Sequence, residues 1–439
     1  MIWMHEGKLL WLWGFLPLFA ACAAAWFRPL LTMKKGKGRS ASSGQKAPGA
    51  LSPGQAAGAA LAATIGTGNI VGTAQAIAMG GPGAVFWMWA AALLAMPVKA
   101  AEILMGQRMG GAMGYIRRAL GPFPAKSYTL LALGNVLILG NMTQMNTASS
   151  LFGNVDFPAA DLAVPLMLTA LIAICLQKGI DGVGRLCMKL IFVMAGLYLA
   201  ACAAGLFMHA RRISPAFRLI FRCALHPRAA GGAASGLLAR EACLWGLKRG
   251  AFSNEAGLGT AANIHAYTGE TDPVRNALLG AAEVFADTLL CTLTALVLLT
   301  AAVPIPDGSL PGSELAGHAL AESFGEEAGL WLLALCLGSF ALSTVLGSYI
   351  VGHRCADSLG IGVRVYRSVF LGCSALGSLL PLRWIWLSAD TVNVLMALPN
   401  LLALLLLSGG ERGEEGRISR KLKNLLLPRR KEWCKIAKR

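Results

Sequence analysis

Two short stretches combine glycine with polar residues inside long apolar segments, and these are the places where the chain could build a binding site. The first, residues 63–72, contains Gly66, Gly68 and Gly72 beside an asparagine and two threonines. Each glycine in a helix interior costs about 1 kcal/mol relative to alanine, so a helix is expected to unwind here. The freed N–H groups would suit a carboxylate and the freed carbonyls a cation. Close helix packing through small residues is the alternative.

The second stretch, residues 246–259, places three charged and two polar side chains in another apolar segment. These are Lys248, Arg249, Ser253, Asn254 and Glu255. Charges inside a membrane segment line a pathway or pair with each other. Pairing of Lys248 or Arg249 with Glu255 is favoured over direct contact with a ligand.

Three further pairs of polar residues lie within apolar segments, and each has two interpretations. They are Gln144 with Asn146, Glu283 with Asp287, and Lys99 with Glu102. The two amides could contact a ligand or bond between helices. Glu283 and Asp287, four residues apart on one helix face, could carry protons or bond to neighbouring groups. Lys99 and Glu102, three residues apart, are expected to pair with each other.

The composition requires that most of the chain avoids water. Of 439 residues, 56% are hydrophobic and 14% are charged, whereas a soluble domain has roughly 25% charged residues. A membrane-spanning helix needs about 20 apolar residues, and eleven segments approach that length. A leading helix is predicted near 8–30. Ten core helices are predicted near 55–79, 84–106, 127–152, 160–177, 186–208, 233–264, 275–303, 327–355, 365–381 and 384–408.

The positive charge predicts which loops face the cytoplasm. The net charge is +17, and residues 411–439 alone hold 11 Lys/Arg against 4 Asp/Glu. By the positive-inside rule, the loop 32–54 and the tail 409–439 are cytoplasmic. Residues 209–232 then fall outside as a loop, although they carry five arginines. This distribution favours a multi-pass protein of the inner (plasma) membrane over a nucleic-acid-binding protein.

Several motifs resemble those of one transporter family. Besides the two glycine-bearing stretches they are MGGPGAVFWMW (79–89), GNMTQMN (140–146), FALSTVLG (340–347) and LPN (398–400). They closely resemble the alanine or glycine:cation symporter family, also called the sodium:alanine symporter family, over nearly the whole chain. The resemblance implies an all-α leucine-transporter-type fold, in which the first and sixth core helices are unwound. Two inverted five-helix repeats, 55–208 and 233–408, would follow a leading helix within 1–31.

The resemblance also assigns roles to residues at the two stretches. Backbone amides of Thr67 and Gly68 would hold the substrate carboxylate. The implied substrate-binding set is Gly66, Thr67, Gly68, Asn69, Gln144, Ser253 and Asn254. The implied sodium ligands are the carbonyls of Ala62, Ile65 and Phe340 and the hydroxyls of Ser343 and Thr344. Carbonyls and hydroxyls suit Na⁺ because a hard cation prefers oxygen ligands.

The expected function is sodium-coupled import of a small neutral amino acid such as alanine or glycine. No enzymatic activity is expected, because the six histidines form no HExxH motif and no P-loop is present. We expect a monomer in the lipid membrane, with no cofactor other than the co-transported sodium ion. A proton-coupled carrier using Glu255, Glu283 or Asp287 is the alternative, as is an amino-acid sensor that does not transport. Departures from the family pattern, such as Ala112 and Gly114 where Pro and Tyr are usual, leave the choice of substrate open.

Overall fold

The computed structural model describes residues 15–32, 52–150, 160–225, 235–266, 268, 272–301 and 312–408. The predicted tail 409–439, most of the predicted cytoplasmic loop 32–54 and the first seven residues of the predicted leading helix lie outside the described residues. The described part is almost entirely helical.

The helices are numbered in chain order, and two π-helical segments interrupt them. The α-helices are α1 (Leu16–Thr32), α2 (Pro53–Thr64), α3 (Thr73–Gly80), α4 (Ala84–Met109), α5 (Ala112–Leu120), α6 (Pro122–Leu137), α7 (Thr143–Ser150), α8 (Ala160–Leu176), α9 (Gly179–Met208), α10 (Ala210–Leu225), α11 (Ser235–Ser253), α12 (Thr260–His265), α13 (Pro273–Thr300), α14 (Gly312–Phe324), α15 (Glu326–Ser358), α16 (Val363–Leu379) and α17 (Leu382–Ser408). The π-helical segments are π1 (Gly68–Gly72) and π2 (Ile138–Met142).

Helix is present in every segment where hydropathy predicts a core helix. Five described helices are long and apolar enough to cross a membrane, namely α4, α9, α13, α15 and the Ser388–Ser408 part of α17. The other predicted spans fall short as single helices, partly because breaks divide them into shorter pieces. Helices α5, α10 and α14 lie outside the predicted core helices, and α10 falls within residues 209–232, which were expected to form a loop.

The first break has a defined beginning and end. Ser52 caps α2 in a reciprocal capping box with Gln55, so this helix starts in a fixed register. It ends at Thr64, and Ile65 is extended with φ −81° and ψ 106°. The chain then returns to helix through π1, a geometry often found at functional sites.

The second break lies between α11 and α12. Lys248 and Arg249 remain helical, and α11 ends at Ser253. Gly257 and Gly259 have φ of 87° and 73°, values that glycine adopts without steric cost. Glu255 is the only non-glycine residue with positive φ in the described part of the chain, at 49°. A side chain there costs about 1–3 kcal/mol, which the surrounding contacts must offset.

Packing places the two breaks beside each other. Helix α4 packs against α11 and α13, and α2 packs against α9 and α15. The contact between α2 and α15 requires glycine at 347, because a Cβ there would lie 2.6 Å from the Ala63 nitrogen.

Large apolar side chains on the outward faces are exposed, including Phe192 (74%), Phe207 (84%) and Trp331 (66%). Such a surface is expected where helices face lipid.

Candidate binding site at the helix breaks

Asn69 holds the first break together and does not line the cavity. Its Oδ1 accepts a hydrogen bond from the Gly66 N–H at 3.0 Å, and its own N–H donates to the Gly66 carbonyl at 3.1 Å. Its Nδ2 donates to Asp287 Oδ1 at 2.7 Å. Asn69 is therefore a buried brace between the break and α13, although the sequence suggested a substrate contact.

Thr67 and Gln144 form the next layer of the site. Gln144 Oε1 accepts from the Thr67 N–H at 3.2 Å and from Thr67 Oγ1 at 2.8 Å. Gln144 Nε2 donates to the Leu139 carbonyl in π2 at 3.4 Å. The side-chain oxygen of Gln144 thus accepts the hydrogen bond of the Thr67 backbone amide, one of the two amides that were predicted to hold a substrate carboxylate.

Several of the predicted sodium ligands meet at the end of α2. Thr344 Oγ1 donates to the Ile65 carbonyl at 3.1 Å. The Gly66 N–H points to Asn69 rather than back to the Ala62 carbonyl, so the helical bonding pattern is interrupted there. Ser343 Oγ is buried and has no hydrogen-bond partner among the described residues. Buried hydroxyls are almost always hydrogen-bonded, so an unpartnered one is consistent with an additional ligand.

Asp287 joins the second break to the first. Ser253 Oγ donates to Asp287 Oδ2 at 2.6 Å, while Asp287 Oδ1 accepts from Asn69. Asn254 is buried, and its Nδ2 donates to the Gly250 carbonyl at 2.6 Å. Ser253 therefore reaches the cavity wall, whereas Asn254 completes the end of α11.

The second break is held in place by residues that the sequence analysis did not assign to the binding site. Glu102 Oε1 accepts from the Gly259 N–H at 2.9 Å and from Asn400 Nδ2 at 2.6 Å. Asn400 also donates to the Gly257 carbonyl at 2.9 Å. Tyr128 donates to the Leu258 carbonyl at 2.8 Å. The motif at 398–400 was noted only as part of the resemblance, and its asparagine proves to bind the break directly.

Two lysines pair with carboxylates other than those predicted. Lys99 does not pair with Glu102, because its Nζ lies 3.4 Å from Glu283 Oε2 on α13. Lys248 does not pair with Glu255, because it forms an ion pair with Asp390 on α17. The Glu255 carboxylate instead accepts from Thr260 Oγ1 at 2.7 Å.

Asn146 forms hydrogen bonds between helices, which was one of the two roles predicted for it. Its Nδ2 donates to the carbonyls of Gly377 and Leu380, at 2.9 and 2.7 Å. Asn146 thereby satisfies carbonyls at the end of α16.

A cavity lies between the two breaks, α15 and π2. The space that the centres of water-sized spheres can occupy in it is about 60 Å³, several times the roughly 10–15 Å³ that one water molecule needs. The lining residues are Ala63, Thr64, Gly66, Gly68, Gly72, Leu139, Gly140, Gln144, Arg249, Phe252, Ser253, Glu255 and Thr344. Carboxylate, guanidinium, amide and hydroxyl groups thus line one cavity, a combination that can bind a zwitterion.

Five of the predicted site residues line this cavity, namely Gly66, Gly68, Gln144, Ser253 and Thr344. The other predicted residues are buried next to it: Ala62, Ile65, Thr67, Asn69, Asn254, Phe340 and Ser343. The sequence analysis did not assign Leu139, Gly140 or Phe252 to the site. Arg249 and Glu255 were expected to pair rather than to line a cavity.

Comparison with known proteins places these features in a family. The sequence profile of the sodium:alanine symporter family matches residues 19–418. The chain belongs to this family. Relatives in the sodium:alanine symporter family include the sodium/alanine symporter AgcS of Methanococcus maripaludis, which is 37% identical over 82% of this chain and 83% of AgcS. The probable sodium/glutamine symporter GlnT of Bacillus subtilis is 32% identical, over 82% of this chain and 76% of GlnT.

The fold is shared with a solved transporter of the leucine-transporter type. The crystal structure of MhsT in complex with L-phenylalanine superposes with a TM-score of 0.64, covering 83% of this chain and 91% of MhsT at 16% identity. Family and fold together show that the chain is a multi-pass membrane protein and a secondary transporter rather than an enzyme. Its activity belongs to the class of amino-acid and cation symport.

Proposed function

We propose that this symporter imports a small neutral amino acid such as alanine or glycine, together with sodium, through the cavity between the two breaks. The observation that carries the proposal is the contact of the Thr344 hydroxyl with the Ile65 carbonyl at 3.1 Å. It brings two oxygen ligands together beside the glycine-lined wall of the cavity. The names of the relatives AgcS and GlnT support both the amino-acid class and the cation.

Sodium would be bound by carbonyls and hydroxyls at the end of α2. The carbonyls of Ala62, Ile65 and Phe340 and the hydroxyls of Ser343 and Thr344 supply oxygen without a permanent charge. The unpartnered Ser343 hydroxyl supports this set, because a cation would satisfy it. One positive charge entering with the amino acid gains about 2.3 kcal/mol per 100 mV of membrane potential.

The amino acid would bind with its carboxylate at the first break. The backbone amides of Thr67 and Gly68 are the proposed donors. Gln144 Oε1 now accepts from the Thr67 N–H and hydroxyl, so a carboxylate would replace this amide oxygen. The Gln144 side chain, on the cavity wall, could then donate its own N–H₂ to the ligand.

The ammonium group and the side chain of the amino acid would face the opposite wall. Glu255 and Ser253 supply oxygen there, and Glu255 is held in place by its hydrogen bond from Thr260. Phe252 and Leu139 add apolar bulk to the same cavity. This bulk favours a small side chain over a large one.

The basic loops support a proposal for the cellular setting. The transporter would lie in the inner (plasma) membrane with a cytoplasmic C-terminus, because the predicted inner loops and the tail are basic, and it would work as a monomer. No cofactor is required beyond the transported sodium ion.

Proton coupling is the second candidate, and one observation favours it. The buried carboxylate of Asp287 bridges the two breaks, and Glu255 lines the cavity, so acidic groups lie close to the proposed ligands. A proton-coupled carrier would move the amino acid without sodium.

The test is uptake of radiolabelled alanine and glycine into proteoliposomes at fixed pH. An inward sodium gradient should drive accumulation, and replacement of sodium by choline should abolish it. Equal uptake in the two cations contradicts sodium coupling. Binding without uptake would make the protein a sensor.

A further inference from the structure

The Lys99 ammonium connects the two breaks, and neither proposed ligand set includes it. Lys99 is on α4 and is fully buried. Its Nζ donates to Thr64 Oγ1 at 3.2 Å and to the Asn254 carbonyl at 3.2 Å, and it lies 3.4 Å from Glu283 Oε2. The ammonium thus contacts three different segments, through two hydrogen bonds and one ion pair. The segments are the end of α2, the second break and α13.

Each contact of Lys99 lies next to a part of the proposed transport site. Thr64 lines the cavity and precedes Ile65, whose carbonyl meets Thr344. Asn254 lies between Ser253 and Glu255, which also line the cavity. One buried cation therefore links the residue next to the proposed sodium ligands to the second break.

Glu283 on α13 fixes the position of the Lys99 ammonium, because its carboxylate is itself held by hydrogen bonds. His265 Nε2 lies 2.9 Å from Glu283 Oε1, and His265 Nδ1 lies 2.7 Å from Asn276 Oδ1. Asn276 also donates to Gln107 Oε1 at 3.0 Å. The carboxylate is therefore held on α13 by a network of its own, so that Lys99 has a fixed partner.

We propose that Lys99 is a positioning residue that couples the sodium site to the amino-acid cavity by joining the two breaks. The inference rests on the proposed function and adds to it the residue through which the two ligands affect each other. Coupling between two sites is the factor by which one ligand changes the affinity for the other, typically about 5- to 150-fold. Lys99 contacts neither proposed ligand, so its loss should lower this factor while leaving both ligands able to bind.

The experiment measures alanine affinity on purified protein with saturating sodium and with choline, and takes the ratio. Two variants are designed to keep buried charges paired. Lys99→Gln with Glu283→Gln removes the ion pair as a whole, and Thr64→Val removes one acceptor while leaving the ion pair in place. Arg185→Gln is the control, because it breaks the exposed ion pair with Asp181 on α9, away from the breaks.

In the wild type and in Arg185→Gln, sodium should tighten alanine binding by at least about 5-fold. In Thr64→Val, and in the double variant where it is monodisperse, the ratio should fall to less than half the wild-type value. A wild-type ratio in folded Thr64→Val or in the folded double variant overturns the proposal, as does loss of all alanine binding at high sodium in the double variant, since Lys99 would then build the cavity itself. Absence of any sodium effect in the wild type would instead refute the proposed function.

Discussion

Replacing Gly68 with leucine tests the placement of the amino acid most sharply. Gly68 lines the cavity, and a Cβ at this position would meet no atom within 4 Å. A Cβ therefore fits here without clashing with the protein, and the rest of the leucine side chain would extend from it into the cavity assigned to the ligand. A loss of alanine affinity in Gly68→Leu would thus result from the filled cavity rather than from a disrupted fold.

Steric overlap sets the size of this effect. Forcing a ligand and a side chain into the same space costs typically about 1–3 kcal/mol. Gly68 already lies in the helical segment π1, so the helix propensity of leucine adds no further loss. A loss of about 1–3 kcal/mol corresponds to a roughly 5- to 140-fold weaker affinity, since each 1.4 kcal/mol is a factor of ten.

Alanine affinity should be measured at saturating sodium on monodisperse Gly68→Leu protein. Gly196→Leu is the matched control, because Gly196 is exposed on α9 and its Cβ would also meet no atom within 4 Å. That variant should bind alanine normally. Near-normal affinity in Gly68→Leu would refute the assignment of the carboxylate to the first break.

Three further substitutions test the sodium ligands and the second break. Thr344→Ala removes a proposed sodium ligand. It should raise the sodium concentration for half-maximal uptake about tenfold or more, a loss comparable to that of a hydrogen bond to a charged group. An unchanged concentration means that Thr344 is structural. Gly66→Ala places a Cβ 2.5 Å from Thr344 Oγ1, so it should also raise the sodium half-saturation, and normal sodium dependence would contradict the described geometry. Asn400→Ala removes one of the two donors to Glu102 and the side-chain donor to the Gly257 carbonyl. It should destabilise the protein by about 1–3 kcal/mol, visible as a lower thermal unfolding temperature, and no change would show that Asn400 does not anchor the break.

The positions of the helices and of both breaks could be predicted because their signals are local. An apolar segment of about 20 residues must satisfy its backbone internally, so hydropathy locates helices. The glycines at 66 and 68 weaken the first core helix at the place where it is observed to end. The family resemblance, rather than spacing, assigned Gln144 to the binding site, and Gln144 lines the cavity.

The pairing between helices could not be predicted, since it depends on packing between residues distant in sequence. Lys99 has a carboxylate three residues away, yet it contacts the carbonyl of Asn254, which is 155 residues away. Asn69 belongs to the predicted motif, but its side chain serves Gly66 and Asp287. No local signal distinguishes a polar group that faces a ligand from one that braces the backbone.

The helix α10 was missed for a different reason. Its buried positions Ala216, Ile220 and Ala224 recur every four residues, and Ile213 and Phe217 lie beside them. This pattern is typical of an amphipathic helix. The arginines of the same stretch were counted only as loop charge, so the periodicity was not used.

The most direct test of the central claim is whether alanine moves sodium. Proteoliposomes should contain equal sodium on both sides, with the membrane potential clamped to zero, so that sodium has no driving force of its own. Adding alanine outside should then drive radioactive ²²Na⁺ inward in wild-type vesicles, because the two solutes cross together. Alanine entry without ²²Na⁺ entry would contradict sodium symport through this site.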